Sequence, residues 1–472
     1  MKIKELYPML TYDHEISSIV HHSQEVYENA VFVAIVGYNH DGHDFIFEAI
    51  AKGAKTIIHE KEWFYPFPQN VNFHRVENAQ KELAWLLQQV YSSIWDDLTV
   101  IGITGTNGKT TVSTMVYHYL TYLDYPTLLI GSNGCKYVDY YWPLVNTTPD
   151  IVTIYRLVKQ CKAKLKYVII EVSSQAIREL RIQGIQFDLV AITNISQDHF
   201  DYHHTWDDYL FSKGLLLTKL KPAGIAIVKR EMPFFSFFNG LTINPVKSFG
   251  KNLGDIRYQI TSSSLKGLKM TFTHLNTLQI ESPLTGEFNA ENIACFYTIC
   301  IYLSLKLAPL IEFLKDFGTI KGRMEQFPLN QRLIVIDYAH TPEAVKQVAV
   351  FLKTQSKNRL FVVLGCGGER DRLKRPLMLR FALENAEWVY ITEDNSRSEA
   401  FEEIVADMTH NQILNNYTVI PKRSLAIKKA LEKSTEKDTI AIIGMGSDWY
   451  TEAEELVTDE IIVKRMGEII WS

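Results

Sequence analysis

The sequence predicts an α/β protein of three domains: a small N-terminal α/β module (residues 1–97), a central domain built on a mostly parallel sheet (98–327), and a C-terminal doubly wound α/β domain (328–472). Three observations lead there. The chain has 472 residues, and domains average about 100–200 residues each. Apolar strand-like runs alternate with helical patterns, as strands and crossover helices do in parallel sheets. The texture changes near residues 97 and 327, where one alternating series ends and another begins.

In the first domain, Val31 to Gly37 reads as a strand, Phe45 to Lys52 as a helix stopped by Gly53, and Thr56 to His59 as a second strand. The central domain opens on the apolar run Val100 to Thr104, then a glycine-bearing turn and a helix. Further strands are expected at Thr127–Ile130, Tyr167–Val172, Leu189–Thr193 and Gly224–Val228. Residues 246–282 turn to strand-rich alternation, which suggests an antiparallel extension. In the last domain, strands at Leu333–Tyr338, Leu360–Leu364, Trp388–Thr392, Tyr417–Ile420 and Thr439–Ile443 alternate with four helices, a Rossmann-like order.

Composition narrows the function classes. The hydrophobic fraction is 46% and the net charge is -5, which gives no reason to expect nucleic acid or a membrane surface as partner. The five cysteines are scattered without a Cys-x-x-Cys pair, so buried reduced thiols are expected. Met1 to Leu6 carries no long apolar run, and the apolar stretch Thr298 to Leu314 is interrupted by Lys306 and Pro309. A cytoplasmic protein, monomeric in solution, is the expectation.

The strongest chemical signal is Gly105-Thr106-Asn107-Gly108-Lys109-Thr110-Thr111, set between a strand and a helix. Glycines at 105 and 108 let the backbone turn so that N–H groups face phosphate oxygens, and the following helix N-terminus adds positive potential. Lys109 can reach terminal phosphates and Thr110 can ligate Mg²⁺. Glu171 ends one strand and the segment Asn194 to His203 follows another; strand ends are the ligand-binding edge of such sheets. Taken locally, His199 reads as a hydrogen-bonded structural histidine. Thr205 is placed to cap a helix carrying Lys213, whose local reading is a solvated lysine.

The string Thr-Gly-Thr-Asn-Gly-Lys-Thr-Thr, with Asp198-His199-x-Asp201-x-His203 and a lysine fourteen residues after His199, resembles the Mur ligase superfamily. The resemblance implies a uridine-nucleotide-binding N-terminal domain, a central ATPase domain and a C-terminal amino-acid-binding domain. It implies ATP and two Mg²⁺ ions, one on Thr110 and Glu171, the other on His199 and a Lys213 carbamylated by CO₂. Asn292, in Gly286-x-x-Asn289-x-x-Asn292, would read adenine; Arg323 would neutralise phosphate, Asp337 would contact ribose, and His340 would lie close to the nucleotide. Lys109, Glu171, His199, Lys213 and Arg323 are the implied catalytic set.

Within the superfamily the chain is most similar to the tripeptide synthetases, which add the third amino acid to a UDP-linked muramoyl dipeptide. Ser23, Asn146, Thr147, Thr148, Ser174 and Arg181 match the positions that hold that acceptor. Arg370, Asp394, Asn395, Arg397, Gly444 and Asp448 match those that hold the amino acid, with Arg370 and Arg397 clamping the second carboxylate of diaminopimelate. The alternative for these arginines is surface ion pairing. Departures are His22 and Gln24 flanking Ser23, Gln175 after Ser174, Glu179 for a glutamine, and Gly444-Met-Gly-Ser-Asp448 where relatives have Gly-Lys-Gly-His-Glu. A paralogue acting on another carboxylate acceptor, or a nucleotide-binding scaffold without turnover, are the other readings.

Overall fold

The computed structural model describes residues 1–37, 40–66, 68–274, 276–452 and 455–471. They form two compact units: Met1–Gly102 with Leu123–Leu189 and Thr218–Gly224, and Ile103–Tyr122 with Val190–Leu217 and Ile225–Ser472.

In the first unit, β1 (Ile19–Val20), β2 (Ala30–Val33), β3 (Ala54–His59) and β4 (Asn72–Arg75) form a parallel sheet in that order. Phe32, Ile46, Ala49 and Ile57 are buried at its core. The strand expected to reach Gly37 stops at Val33, and Ile35 instead accepts the Gly42 N–H in a turn. Asp41 caps that turn through the His43 N–H. A helix of Ile46–Ala51 follows and ends at Gly53, where φ is +107°. Strands β5 (Thr99–Thr104), β6 (Thr127–Gly131), β7 (Gly134–Tyr137), β8 (Tyr140–Trp142) and β9 (Tyr167–Glu171) come next. Here β6 pairs parallel with β9, while β6–β7–β8 is an antiparallel meander that the sequence pattern does not announce. The meander is half polar and exposed, so it lacks the unbroken apolar run that marks β5 and β9.

Strands β5, β10 (Phe187–Ile192) and β11 (Leu220–Lys229) begin in the first unit and end in the second. In the second unit, β12 (Val246–Gly250) pairs parallel with β11, and β13 (Ile256–Ser264) parallel with β12. Only β13, β14 (Gly267–Thr273) and β15 (Thr277–Ser282) form the antiparallel extension. The apolar stretch at 298–314 resolves into the end of a helix, Glu287–Tyr302, and a short helix, Leu310–Asp316. The longer one is buried on nearly every side, which explains its lack of a polar face. Among the described residues no helix is long and apolar enough to cross a membrane. All five cysteines are buried and unbridged.

Beyond a small antiparallel pair, β22 (Tyr450–Glu452) with β23 (Glu455–Val457), the remaining strands are β16 (Glu325–Leu329), β17 (Arg332–Asp337), β18 (Leu360–Leu364), β19 (Trp388–Ile391), β20 (Tyr417–Val419) and β21 (Thr439–Ile443), which form one sheet. Their order is β16-β17-β21-β18-β19-β20, parallel except for the edge strand β16. One consequence decides the site: β17, β18, β19 and β21 all present their C-terminal ends together, and the motifs beginning at Asp337, Gly365, Asp394 and Gly444 each follow one of those ends.

Candidate active site

The phosphate loop leaves β5 and enters the helix Lys109–Tyr122. Gly105 and Gly108 have φ of +143° and +83°. A Cβ at Gly105 would stand 1.9 Å from Thr193 Oγ1, and one at Gly108 would stand 2.2 Å from Asn292 Oδ1. Both positions need glycine for space as well as for backbone. The close approach also brings Asn292 to the loop, where its amide donates to Asn289 Oδ1 (2.9 Å) and is buried.

Not every loop amide is turned to a ligand. The Thr106 N–H donates to Asn194 O (2.8 Å) and the Asn107 N–H to Asn194 Oδ1 (3.0 Å). Asn194 Nδ2 returns a bond to Asn107 O (3.0 Å), and Thr106 Oγ1 accepts from Ser196 N (2.9 Å). The segment after β10 therefore fixes the loop's shape, and Asn194, Ser196 and Thr193 are positioning residues to which the sequence alone assigns no role. An amide side chain directly after a strand is the one signal it offers.

Lys109 and Lys213 converge on one carbonyl. Both ammonium groups donate to Gly105 O, at 3.0 and 2.9 Å. Lys213 is 2% exposed, so the solvated-lysine reading is wrong; its helix, Trp206–Gly214, is capped by Thr205 as expected but packs that face inward. Burial, and then the charge of Lys109, hold the Lys213 amine well below the ordinary lysine range. His199 lies at the start of the short helix Phe200–His203 with φ +59°. Burial pushes its imidazole down to about 3 against the pull of Asp198, so the ring is neutral at pH 7. Among the described residues its buried Nδ1 finds no hydrogen-bond partner. A neutral imidazole with an orphaned ring nitrogen beside an amine whose charged form is disfavoured by burial fits a metal ligand set.

Asp198 is the electrostatic centre of this region. Its carboxylate is 3.3 Å from His199 Nε2, 2.9 Å from Lys374 Nζ and 3.6 Å from His340 Nε2. Burial alone would raise its pKa, but these three partners hold it well below the usual carboxylate range. Nothing local in the sequence marks Lys374 for this role. Nearby, Arg323 reaches Thr110 Oγ1 (3.4 Å) and lies over the Tyr338 ring at 4.3 Å. Asp337 accepts the N–H groups of Met324 and Ala339, both at 2.8 Å, so it shapes the turn it ends.

In the first unit, a separate network joins the residues matched to the acceptor. Glu171 is buried at the end of β9 and accepts from Ser132 Oγ (3.2 Å), which is 2.9 Å from Thr147 Oγ1. Thr148 Oγ1 donates to Glu171 O (2.7 Å), and Arg181 donates to Thr148 O (2.8 Å). Glu179 takes part of the Arg181 charge at 2.9 Å. Ser174 is buried in the first turn of the helix Ser174–Arg178, whereas Asn146 is exposed. Ser23 is buried and donates to Glu48 (2.9 Å).

The amino-acid signature lies over the ends of β18, β19 and β21. A Cβ at Gly365 or at Gly444 would strike Asp394, which puts those three together. Arg370 and Arg397 flank Gly367, and Arg397 donates to Gly368 O. Among the described residues neither forms an ion pair; Arg372 and Arg375 supply the pairs instead. Asn395 and Arg397 both hold positive φ, +42° and +53°, a strain that persists where surrounding bonds enforce it.

Arg375 gives a pH prediction. Its hydrogen bond holds the Glu399 carboxyl down from 4.5 to about 2. A depressed folded-state value means stability that is present above about pH 4.5 and lost as pH falls towards 2. Melting curves of wild type and Glu399→Gln should differ most above pH 4.5 and converge near pH 2. A constant difference would show that Glu399 does not titrate in this way.

Comparison with known proteins agrees along the chain. Residues 15–91 match the Mur ligase family catalytic domain, 103–300 the Mur ligase middle domain, and 322–446 the Mur ligase glutamate ligase domain. The chain is 32% identical to the UDP-N-acetylmuramoyl-L-alanyl-D-glutamate–2,6-diaminopimelate ligase of Geobacillus thermodenitrificans, over 93% of this chain and 91% of that one. It is 33% identical to UDP-N-acetylmuramyl-tripeptide synthetase 2 of Oceanobacillus iheyensis, over 92% and 90%. A solved 2,6-diaminopimelate ligase structure superposes with a TM-score of 0.69 at 27% identity, covering 99% of both chains. The MurF ligase of Thermotoga maritima in complex with ADP shares the fold, with a TM-score of 0.67 at 20% identity over 96% and 97%. With all three of its domains matched in order and relatives aligned over nearly its whole length, the chain belongs to the Mur ligase family.

Proposed function

We propose that this ATP-dependent ligase joins meso-diaminopimelate to the D-glutamyl carboxylate of UDP-MurNAc-L-Ala-D-Glu, in peptidoglycan precursor synthesis. The observation that carries the reading is the pair of arginines beside Gly367, Arg370 and Arg397, neither of them in an ion pair among the described residues. Two guanidiniums outside any ion pair suit a bound carboxylate, and an amino acid with a second carboxylate supplies it. Relatives named for 2,6-diaminopimelate span over nine-tenths of the chain.

In the proposed reaction the acceptor carboxylate attacks the γ-phosphorus of ATP, the bond to ADP breaks, and an acyl phosphate forms. The amine of the incoming amino acid then attacks the acyl carbon, loses a proton, and phosphate leaves. Lys109 and Arg323 bind phosphate oxygens, with Gly105 to Thr111 around them; Asn292 reads adenine, and Asp337 and His340 lie on the nucleotide's ribose side. Thr147, Thr148, Ser174 and Arg181 hold the acceptor. Thr110 and Glu171 would hold one Mg²⁺, and His199 with carbamylated Lys213 the other. The ions would supply charge neutralisation at the phosphoryl group. Carbamylation has a physical motive here: Lys213 Nζ, whose own positive charge is disfavoured beside Lys109, attacks CO₂, loses a proton, and becomes an anion that Lys109 favours.

The test is phosphate release from ATP and Mg²⁺. It should require both UDP-MurNAc-L-Ala-D-Glu and meso-diaminopimelate. Release with neither or with only one present would overturn the reading. A second acceptor is favoured by one observation: Glu179 draws on the charge of Arg181. Release with another carboxylate and none with the muramoyl dipeptide would establish it.

A further inference from the structure

Two adjacent histidines in the first unit have no part in the ligase site described above. His21 and His22 follow β1 directly, and His22 is one of the residues at which the chain departs from related synthetases. Along a strand, neighbouring side chains point to opposite faces. Here β1 ends at Val20 and a 3-10 turn begins at Ser23, and the two imidazole rings lie side by side, 4.1 Å between centroids. Asp150 reaches the same place from the start of the helix Ile151–Cys161. One donor atom from each of the three lies within 4.8 Å of the other two. Among the described residues no other three histidine, cysteine or acidic side chains gather in this way.

His21 is an under-used polar group. Its side chain is only 14% exposed. Among the described residues Nδ1 finds no hydrogen-bond partner, and Nε2 stands 3.9 Å from Asp150 Oδ1, too far for a hydrogen bond. A gap of that size suits an ion between the two. Zinc holds imidazole nitrogen and carboxylate oxygen at about 2.0–2.2 Å, which sets neighbouring ligand atoms roughly 3.4 Å apart in a tetrahedron. A small side-chain rotation closes the difference. Burial lowers the His21 pKa against the pull of Asp150, which favours the neutral imidazole that a metal needs. Asp150 is held from behind: Oδ1 accepts the Thr153 N–H (2.9 Å) and Oδ2 the Thr153 hydroxyl (2.7 Å). Such outer partners orient a ligating carboxylate. The neighbouring cation, Arg156, is paired with Glu25 (2.6 Å), so it opposes a bound ion little. His22 is exposed and leaves the place open to solvent.

We propose that His21, His22 and Asp150 bind a divalent transition ion of the zinc class, with water completing its shell. Two nitrogens and one oxygen select such an ion over Mg²⁺, which takes oxygen ligands. The ion ties the end of β1 to the first turn of a helix far along the chain. It shares no residue with the Mg²⁺ positions proposed above, and its test involves no turnover.

The full chain is stripped with a chelator and kept in excess Mg²⁺, then titrated calorimetrically with zinc chloride. Wild type should bind one tight equivalent. His22→Ala and Asp150→Asn should weaken that equivalent by roughly tenfold or more, the scale on which loss of even an outer partner of a metal ligand acts. Zinc should raise the melting temperature of wild type, and that of either variant far less. Cobalt serves as a coloured substitute: Co²⁺ should give visible absorption bands in wild type that both variants lose. Circular dichroism without metal checks the fold of each variant. If Asp150→Asn, which also alters a helix cap, fails to fold, His22→Ala at its exposed position decides. No zinc binding by wild type, or equal stoichiometry and affinity in wild type and His22→Ala, overturns the proposal.

Discussion

Lys213→Ala is expected to lower ligation by roughly 10²–10³-fold or more, the scale on which one preorganised electrostatic group acts on a transition state. Lys213 is buried, bonded to Gly105 O, and its charged form is disfavoured by burial and by Lys109. Alanine removes the amine and with it any carbamate. KM for ATP should change less than kcat, because Lys109 remains on the phosphate loop. Circular dichroism and ADP binding report whether the loop survives the loss of its bond. A second readout separates chemistry from structure: wild-type activity in CO₂-depleted buffer should rise on adding bicarbonate, and that of Lys213→Ala should not. Full activity in the variant would remove the carbamate from the mechanism.

Lys374→Met should cost about 3–5 kcal/mol of stability, as when one partner of a buried ion pair is deleted and the other charge is stranded. Asp198 is 2% exposed and Lys374 lies 2.9 Å from it. His199 is a poor substitute, since burial keeps it neutral. Combining Lys374→Met with Asp198→Asn should recover much of the loss, because the stranded charge goes with it. The denaturant midpoint of each variant, followed by two probes because a chain of this size need not unfold in one step, measures this. Equal midpoints for wild type and Lys374→Met would mean that Asp198 draws its stabilisation from elsewhere.

The phosphate loop is fully legible in the sequence. A strand, two glycines, a lysine and a helix lie within a dozen residues, and local sterics dictate such a turn. The C-terminal sheet is legible for the same reason: β17, β18, β19 and β21 are short apolar runs buried on both faces, and only a parallel sheet under helices buries them so. The meander β7–β8 and the strands β4 and β16 are not, because half-exposed strands carry no continuous apolar signal.

Lys213 marks the boundary between the two kinds of information. Its neighbours predict a capped helix with a lysine near its end, and that helix forms. Whether the lysine meets water or protein depends on the face turned inward, and Gly105, 108 residues earlier, supplies its partner. The resemblance to known ligases marks the position; burial and the Lys109 charge give it a physical reason. The Asp198–Lys374 pair spans 176 residues and leaves no local trace.

Turns, caps, strand runs and the phosphate loop are settled by neighbours within a few residues, through steric and hydrogen-bonding preferences that do not need the rest of the chain. By itself the sequence therefore determined the domain class and the nucleotide loop. Charge states and orphaned ligand atoms are settled by desolvation and by partners far apart in sequence. Only the tertiary structure decided those, because burial is a property of the assembled fold and not of any segment of it.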